Sequence, residues 1–165
     1  MAIGHQLTAN SQQPISMHRL QTIQTLPISL EEAWAFFSHP ANLAKITPPD
    51  MNLVPTCAVP DHTYPGLMIT YKVKPLLGIP LLWVTEITHV REQEFFVDEQ
   101  RLGPYRIWHH QHHFKPVPGG VEMTDIVDYR LPLGPIGVLM NSLFIGKKLK
   151  GVFEYRRQQL IALFG

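Results

Sequence analysis

The pattern of hydrophobic and polar positions in the first fifty residues is extended and then helical. Residues 17–26 contain β-branched side chains and no breaker before Pro27, which predicts a first strand. Ser29-Leu-Glu-Glu32 then has the spacing of a capping box, and apolar residues follow it at helical spacing. We therefore predict a short helix over residues 30–38 and a second helical piece over 40–45.

From residue 52 to residue 131 the pattern is extended, and clusters of Pro and Gly separate the apolar stretches. The last separator, residues 116–120, is short enough to join its two neighbours into an antiparallel hairpin. The predicted strands are 52–58, 67–74, 81–91, 94–101, 105–115 and 120–131.

The final segment, residues 136–164, has the pattern of one long amphipathic helix. A strand, two short helices, about six further antiparallel strands and a long helix make up an α+β order. We predict a curved sheet with the C-terminal helix across its concave face. The apolar stripe assigned to this helix contains Leu139, Leu143, Leu149, Phe153, Leu160 and Leu163.

Composition places the chain among ordinary globular proteins. It has 165 residues, 45% of them hydrophobic and 16% charged, which fits one domain with a single core. The formal net charge of +1 argues against nucleic acid as the main partner, because counterion-release binding needs a concentrated basic face. Cys57 is the only cysteine, so no intrachain disulfide can form.

The two ends of the chain differ in character. Residues 1–16 are polar and lack the apolar core of a signal peptide, so we expect a flexible lead-in followed by one domain over 17–165, in a cytoplasmic protein. The C-terminal segment carries a local basic excess that forms a solvated face or attracts anionic lipid headgroups. Its members are Lys147, Lys148, Lys150, Arg156 and Arg157.

Two neighbouring strands place unusual residues on the inward face of the sheet. Alternation over 105–115 puts His110 and His112 on the face that two large aromatic residues bracket. Over 120–131, the apolar face contains Asp125, which then faces His110 or His112 across the hairpin. The predicted interior is Asp98, Gln100, Trp108, His110, His112, Phe114, Met123, Asp125, Val127 and Tyr129.

Three interpretations of this polar interior stay open at the level of sequence. The imidazoles and carboxylates can satisfy one another in a buried hydrogen-bond network. They can instead line a cavity and orient the polar end of a mainly apolar ligand. A metal site is the third option, with His110, His112 and Asp125 as ligands, but the H-x-H spacing is weakly specific, and we expect no metal and no cofactor.

A family resemblance rests on two consecutive stretches of the chain. It resembles the SRPBCC (START/Bet v 1-like) superfamily, and most of all its bacterial cyclase/dehydrase-like, cell-division-inhibitor-like branch. The stretches are Phe96-x-Asp98-x-Gln100-x-x-Gly103-Pro104-Tyr105-x-x-Trp108-x-His110-x-His112-x-Phe114 and Thr124-Asp125-x-Val127-x-Tyr129-x-Leu131-Pro132-x-Gly134.

The resemblance implies a helix-grip fold, in which a seven-stranded antiparallel sheet surrounds a long C-terminal helix with a deep cavity between them. It implies binding of a small, mainly hydrophobic molecule such as a lipid, quinone or polyketide, by a carrier or sensor. The alternative is a polyketide cyclase or dehydratase in which Asp125 orients His110 or His112 as acid or base, with Tyr129 near a developing enolate. Binding without catalysis is the preferred hypothesis.

Two loop regions lack charge and are rich in Leu and Ile. They are residues 75–82 and 131–140. They either fold under their neighbours as small apolar clusters or form a mouth for ligand entry that touches a membrane transiently.

Overall fold

The computed structural model describes residues 17–75 and 78–165, apart from the side chain of Val138. Seven antiparallel strands form one curved sheet in the order β1-β7-β6-β5-β4-β3-β2. The predicted lead-in, residues 1–16, lies outside the described residues. The strands are β1 (His18–Leu26), β2 (Val54–Pro55), β3 (Leu67–Val73), β4 (Leu81–Arg91), β5 (Phe95–Leu102), β6 (Ile107–Val117) and β7 (Gly120–Arg130).

The predicted short helix is present as α1 (Leu30–Phe37), and the capping box forms at its start. The Ser29 hydroxyl accepts from the Glu32 amide at 3.1 Å, and the Glu32 carboxylate accepts from the Ser29 amide at 2.9 Å. The second piece is a 3-10 helix, Pro40–Ile46, followed by a 3-10 turn, Pro49–Met51. These elements cover one end of the sheet.

The strand predicted over 52–58 was mostly wrong, because β2 contains two residues only. Pro55 cannot donate to a ladder and Pro60 follows shortly, so pairing ends almost where it begins. The other strands lie within about two residues of their predicted bounds, the usual uncertainty at element ends.

The long C-terminal helix spans 31 residues and is interrupted once. It consists of α2 (Gly134–Met140), a π-helical turn (Asn141–Ile145) and α3 (Gly146–Phe164). Leu149, Phe153 and Leu160 are buried as predicted, whereas Leu139, Leu143 and Leu163 are exposed. The π turn inserts an extra residue into the helical repeat, so one apolar stripe cannot continue through both parts.

The register of the sheet decides which side chains meet inside it. In the β6–β7 hairpin, His112 pairs with Asp125, which is one of the two partners expected for that carboxylate. Asp98 of β5 pairs with His110 on the other side of β6. Two buried apolar clusters flank this region: one packs around α1, and one lies between β7 and α3.

No helix among the described residues combines the length and the apolar character that a membrane span requires.

Candidate functional site

A cavity of about 230 Å³ lies between the concave face of the sheet and the C-terminal helix. Its walls are mainly apolar, which is typical of small-molecule sites. The 3-10 helix after α1 and its neighbouring loops close one side. Among the lining side chains are Phe37, Leu43, Ile69, Tyr71, Val73, Ile87, Phe96, Leu149, Val152 and Phe153.

Three aromatic side chains, from β4, from β6 and from the turn between β5 and β6, form a continuous part of this wall. The ring centroids of Trp83 and Trp108 are 5.4 Å apart at an interplanar angle of 88°, and those of Tyr105 and Trp108 are 4.8 Å apart. Edge-to-face packing of this kind fixes each ring against its neighbours. The wall therefore offers a rigid aromatic surface to a guest molecule.

The polar part of the cavity wall comes from β5 and β6. Asp98, His110 and His112 all line the cavity, and both imidazoles are buried. Strand alternation directs His110 and His112 to the same face, and the register places Asp98 beside them. A group of acidic and basic side chains that is shielded from bulk solvent thus lines the cavity in the middle of the sheet.

The two imidazoles lie between two carboxylates. His110 Nε2 is 3.0 Å from Asp125 Oδ1, and His112 Nε2 is 3.0 Å from Asp98 Oδ2; both contacts are hydrogen bonds. The other two nitrogens also face carboxylates, with His110 Nδ1 3.3 Å from Asp98 Oδ2 and His112 Nδ1 2.8 Å from Asp125 Oδ1. The His112 Nδ1 contact is short but poorly directed, so this buried nitrogen makes no hydrogen bond.

Arg156 of α3 connects the helix to this group. Its Nη1 lies 3.3 Å from Asp125 Oδ1, and both side chains are less than a tenth exposed. The guanidinium also lies over the Phe153 ring, 4.9 Å from its centroid. A buried charge of this kind requires a partner, and Asp125 supplies it.

The electrostatics of the group follow from these contacts. Burial, the largest single influence, would raise the pKa of Asp98 and of Asp125. His110 and His112 acting together on Asp98, and Arg156 with both imidazoles acting on Asp125, outweigh it, so both pKa values fall below their usual range. Burial would lower the pKa of His110, yet Asp98 and Asp125 raise it. Both carboxylates are therefore charged at neutral pH.

Solved structures with the same architecture come from several sources. Protein Ms6760 from Mycobacterium smegmatis matches with a TM-score of 0.62 at 16% identity, over 88% of this chain and 92% of that chain. The Bet v 1-type allergen Ara h 8.0201 matches with a TM-score of 0.59 at 11% identity, over 89% of this chain and 99% of that chain. No protein-family model matches the chain, and no curated protein matches its sequence.

The chain has the helix-grip fold that these structures share. The fold that the sequence resemblance implies is therefore confirmed, whereas the cyclase/dehydrase-like branch stays a prediction. The same fold occurs as part of a larger chain in the nucleoside-diphosphate sugar epimerase from Corynebacterium glutamicum, with a TM-score of 0.61 at 25% identity. That match covers 87% of this chain and 28% of that chain.

The helix-grip fold places nine of the ten predicted site residues, all except Gln100, in three kinds of position. Asp98, Trp108, His110 and His112 line the cavity. Asp125 lies behind the imidazoles. Phe114, Met123, Val127 and Tyr129 are buried in the packing around the cavity rather than in its wall. A ligand-contacting role for any of them stays a prediction.

Two of the predicted polar residues make bonds that hold the framework together. Gln100 Nε2 donates to the Tyr105 carbonyl at 2.6 Å, and Gln100 Oε1 accepts from the Tyr105 amide at 3.2 Å, so this amide fixes the β5–β6 turn. The Tyr129 hydroxyl donates to Asn141 Oδ1 at 2.7 Å and ties β7 to the π turn. Gln100 and Tyr129 therefore position the site from outside the cavity wall.

Several lining residues were missed by sequence reasoning. Tyr71 is buried, and its hydroxyl belongs to the wall near Asp98. Alternation with Leu67, Ile69 and Val73 was a usable signal for its inward direction. Arg156 was placed in a solvated basic face, which was wrong, because its spacing from Phe153 and Leu160 follows the buried stripe of α3.

One ion pair joins α3 to the 3-10 turn beside the cavity. Lys148 Nζ donates to Asp50 Oδ2 at 2.8 Å, and Lys148 is itself a lining residue. Asp50 belongs to the 3-10 turn that also contributes Met51 to the wall. Hydrogen bonding to Lys148 is the main reason that the pKa of Asp50 is lowered. The ion pair therefore links α3 to this 3-10 turn.

Proposed function

We propose that the protein binds a small, mainly hydrophobic molecule with one polar end, as a carrier or sensor. The cavity of about 230 Å³ supports this, because an apolar wall surrounds one buried polar group. Apolar contacts supply affinity at roughly 25 cal/mol per Å² removed from water. Asp98, His110 and His112 select the orientation of the polar end.

The size of the cavity favours a compact guest. Ligand sites of proteins usually enclose roughly 300–1,000 Å³, so a cavity of about 230 Å³ lies at or below the lower end of that range. A molecule with one or two rings and a carbonyl or hydroxyl group, such as a quinone or a short polyketide, fits this volume better than a long acyl chain. The aromatic rings of Trp83 and Trp108 in the wall offer ring faces and edges against which such a molecule can pack.

The direct test is native mass spectrometry of protein purified from its own host, combined with displacement of the dye anilinonaphthalene sulfonate. Val152→Phe fills the cavity from α3, and Ile161→Phe adds the same group to the exposed side of that helix. We expect a copurifying apolar molecule, and loss of dye binding in Val152→Phe alone. Empty spectra together with equal dye binding by both variants would contradict the proposal.

The proposal also includes transient contact of the protein with a membrane. Six apolar side chains on α2, the π turn and the residue before them are exposed next to the cavity, and we call them the apolar patch. The nearby Lys147 and Lys150 are exposed and suit anionic headgroups. The patch consists of Leu133, Ile136, Leu139, Met140, Leu143 and Phe144.

Vesicle flotation tests this contact. We expect binding to vesicles of phosphatidylcholine with phosphatidylglycerol, weaker binding to phosphatidylcholine alone, and loss of both in Ile136→Ser/Phe144→Ser. Ile23→Ser changes an equally exposed apolar residue on β1 and serves as the control. Equal flotation of the two variants would show that the apolar patch makes no membrane contact. Of the other predicted apolar loop, residues 76 and 77 lie outside the described residues, and Ile79 and Leu82 are exposed.

A cyclase or dehydratase activity is the second candidate, and the His110–Asp125 hydrogen bond at the cavity favours it. The tyrosine in that hypothesis, Tyr129, donates its hydroxyl to Asn141 and does not line the cavity, so in this proposal the imidazoles and carboxylates carry out the acid–base work. His110→Ala and His112→Ala should abolish turnover of a poly-β-ketone analogue while dye binding persists. Turnover that both variants retain would exclude this role.

A further inference from the structure

The geometry points to a divalent metal site of the zinc type, formed by Asp98, His110 and His112 with one coordination position open to the cavity. One ligand atom from each of the three residues lies within 4.8 Å of the other two. This proposal is independent of the apolar ligand. It departs from the sequence-based expectation of no metal, and its carboxylate ligand is Asp98 instead of Asp125.

The two distances from the Asp98 carboxylate to the imidazole nitrogens are close to those of tetrahedral coordination. Asp98 Oδ2 is 3.3 Å from His110 Nδ1 and 3.0 Å from His112 Nε2. Zinc bonds to nitrogen and oxygen of about 2.0–2.2 Å give edges of roughly 3.3–3.5 Å between ligand atoms. At these two edges the ligand atoms need to separate by at most about half an ångström to accept an ion, and the two imidazole nitrogens lie within 4.8 Å of each other.

Asp125 occupies the place of a supporting carboxylate behind the ligands. Its Oδ1 lies 3.0 Å from His110 Nε2 and 2.8 Å from His112 Nδ1, the two nitrogens that do not face Asp98. Carboxylates in this position fix the tautomer of a ligating histidine, so that the opposite nitrogen presents its lone pair to the ion. Arg156 holds Asp125 in turn, at 3.3 Å. Asp125 thus orients His110 through a hydrogen bond and lies in contact with His112.

Charge and exposure favour the same assignment. The group holds two carboxylates, Asp98 and Asp125, beside the single guanidinium of Arg156, so a divalent cation would take the place of imidazole protons in balancing its charge. The three proposed ligands line the cavity while Asp125 does not. A fourth coordination position would therefore face the cavity, where water or the oxygen of a bound molecule could occupy it.

Titration of chelator-treated, untagged protein with Zn²⁺ and Co²⁺ tests the site. We expect one ion per chain by calorimetry and a visible Co²⁺ absorption band typical of tetrahedral coordination. Asp98→Asn and His112→Gln should each weaken binding at least 100-fold, and Asp125→Asn should weaken it about 10- to 100-fold. His109→Gln and His113→Gln change the outward face of the same strand and should bind as the unaltered protein does.

The folded state of every variant is checked by circular dichroism, and conclusions are drawn from those variants that fold. If no ligand variant folds, the stoichiometry and Co²⁺ spectrum of the unaltered protein decide. Absence of stoichiometric binding by the unaltered protein would overturn the assignment. So would unchanged affinity in a folded Asp98→Asn or His112→Gln variant, or an affinity lost in His109→Gln. Dye binding without added metal reports on the apolar cavity separately, so the two proposals can fail independently.

Discussion

The Arg156 guanidinium of the C-terminal helix lies 3.3 Å from the Asp125 carboxylate in the middle of the sheet. Both groups are buried, so each satisfies a charge that the interior would otherwise leave unpaired. Apolar contacts between helix and sheet are tolerant of small shifts, whereas this ion pair has one favourable geometry. It therefore fixes the rotation of α3 over the cavity.

Removing the guanidinium should destabilise the fold strongly. Arg156→Met leaves the Asp125 carboxylate buried without its cation, and breaking a buried pair in this way costs about 3–5 kcal/mol. Urea unfolding at pH 7 measures the loss. Arg157→Met removes a cation that pairs on the surface with Glu154 and should change the midpoint little.

The double variant Arg156→Met/Asp125→Asn distinguishes an unpaired charge from lost packing. It should recover part of the stability that Arg156→Met loses, because the uncompensated carboxylate is gone. An additive loss in the double variant would show that Arg156 stabilises the protein through packing, as over the Phe153 ring, and not through Asp125.

Strand alternation accounts for how much of the site could be predicted. A period of two is enough to direct His110, His112 and Asp125 inward, and the short hairpin limits their register to two choices. The alternation of side chains along a strand predicts only the face of the sheet on which each side chain lies. Whether an inward side chain meets the cavity or its packed neighbours depends on the curvature of the sheet, which separates Trp108 in the wall from Val127 behind it.

The contribution of the helix was harder to predict for a different reason. The π turn shifts the helical repeat between Asn141 and Ile145, so a stripe drawn through Leu139 and Leu143 does not continue into the buried face of α3. Arg156 lies on that buried face, where a cation is unusual. Its burial is explained by Asp125, which lies opposite it on the sheet. Local patterns do not contain that pairing, because it joins residues 31 positions apart.

The Lys148–Asp50 ion pair should control the rate of ligand exchange and not affinity. Lys148→Met removes the link between α3 and the 3-10 turn beside the cavity without changing the polar group inside. Because both side chains are partly exposed, we expect only a twofold to about fivefold increase in both association and dissociation rates. Stopped-flow fluorescence with anilinonaphthalene sulfonate measures these rates.

Lys147→Met changes an exposed neighbour on the same helix and is the matched control for this measurement. High salt should reproduce the effect of Lys148→Met in the unaltered protein, because it screens the same pair. If Lys148→Met leaves the association and dissociation rates unchanged, or if its affinity for the dye falls as these rates rise, the ion pair does not control the rate of ligand exchange.

The pairing of β1 with β7 should contribute a pH-dependent part of the stability. Arg19 binds the Asp128 carboxylate through two hydrogen bonds of 2.7 Å, and this contact lowers the pKa of Asp128. A lowered folded pKa gives stability that is present above the unfolded value of about 3.9 and is lost as the pH falls through the folded value. Asp128→Asn should therefore be less stable than the unaltered protein at pH 7.

Urea midpoints between pH 2.5 and pH 7 check the sign of this dependence, with the pH values chosen around the roughly 3.9 expected for an unfolded Asp. The difference in urea midpoint between Asp128→Asn and the unaltered protein should become smaller as the pH falls. Asp61→Asn, on an exposed loop, is the control and should show no such trend. A difference that is constant over this range would mean that Asp128 stabilises the strand pair without its charge.

Gln100 should affect ligand binding although it lies outside the cavity wall. Its amide makes two hydrogen bonds to the Tyr105 backbone, and Pro104 and Tyr105 both line the cavity. Gln100→Ala leaves these backbone groups without partners and loosens the turn, at about 1–3 kcal/mol in stability. Calorimetry should show weaker dye binding by Gln100→Ala, with no comparable change for Gln111→Ala on the outward face of β6. If dye affinity is unchanged while stability falls, the turn does not shape the binding surface, and the aromatic wall holds its form through Trp83 and Trp108 alone.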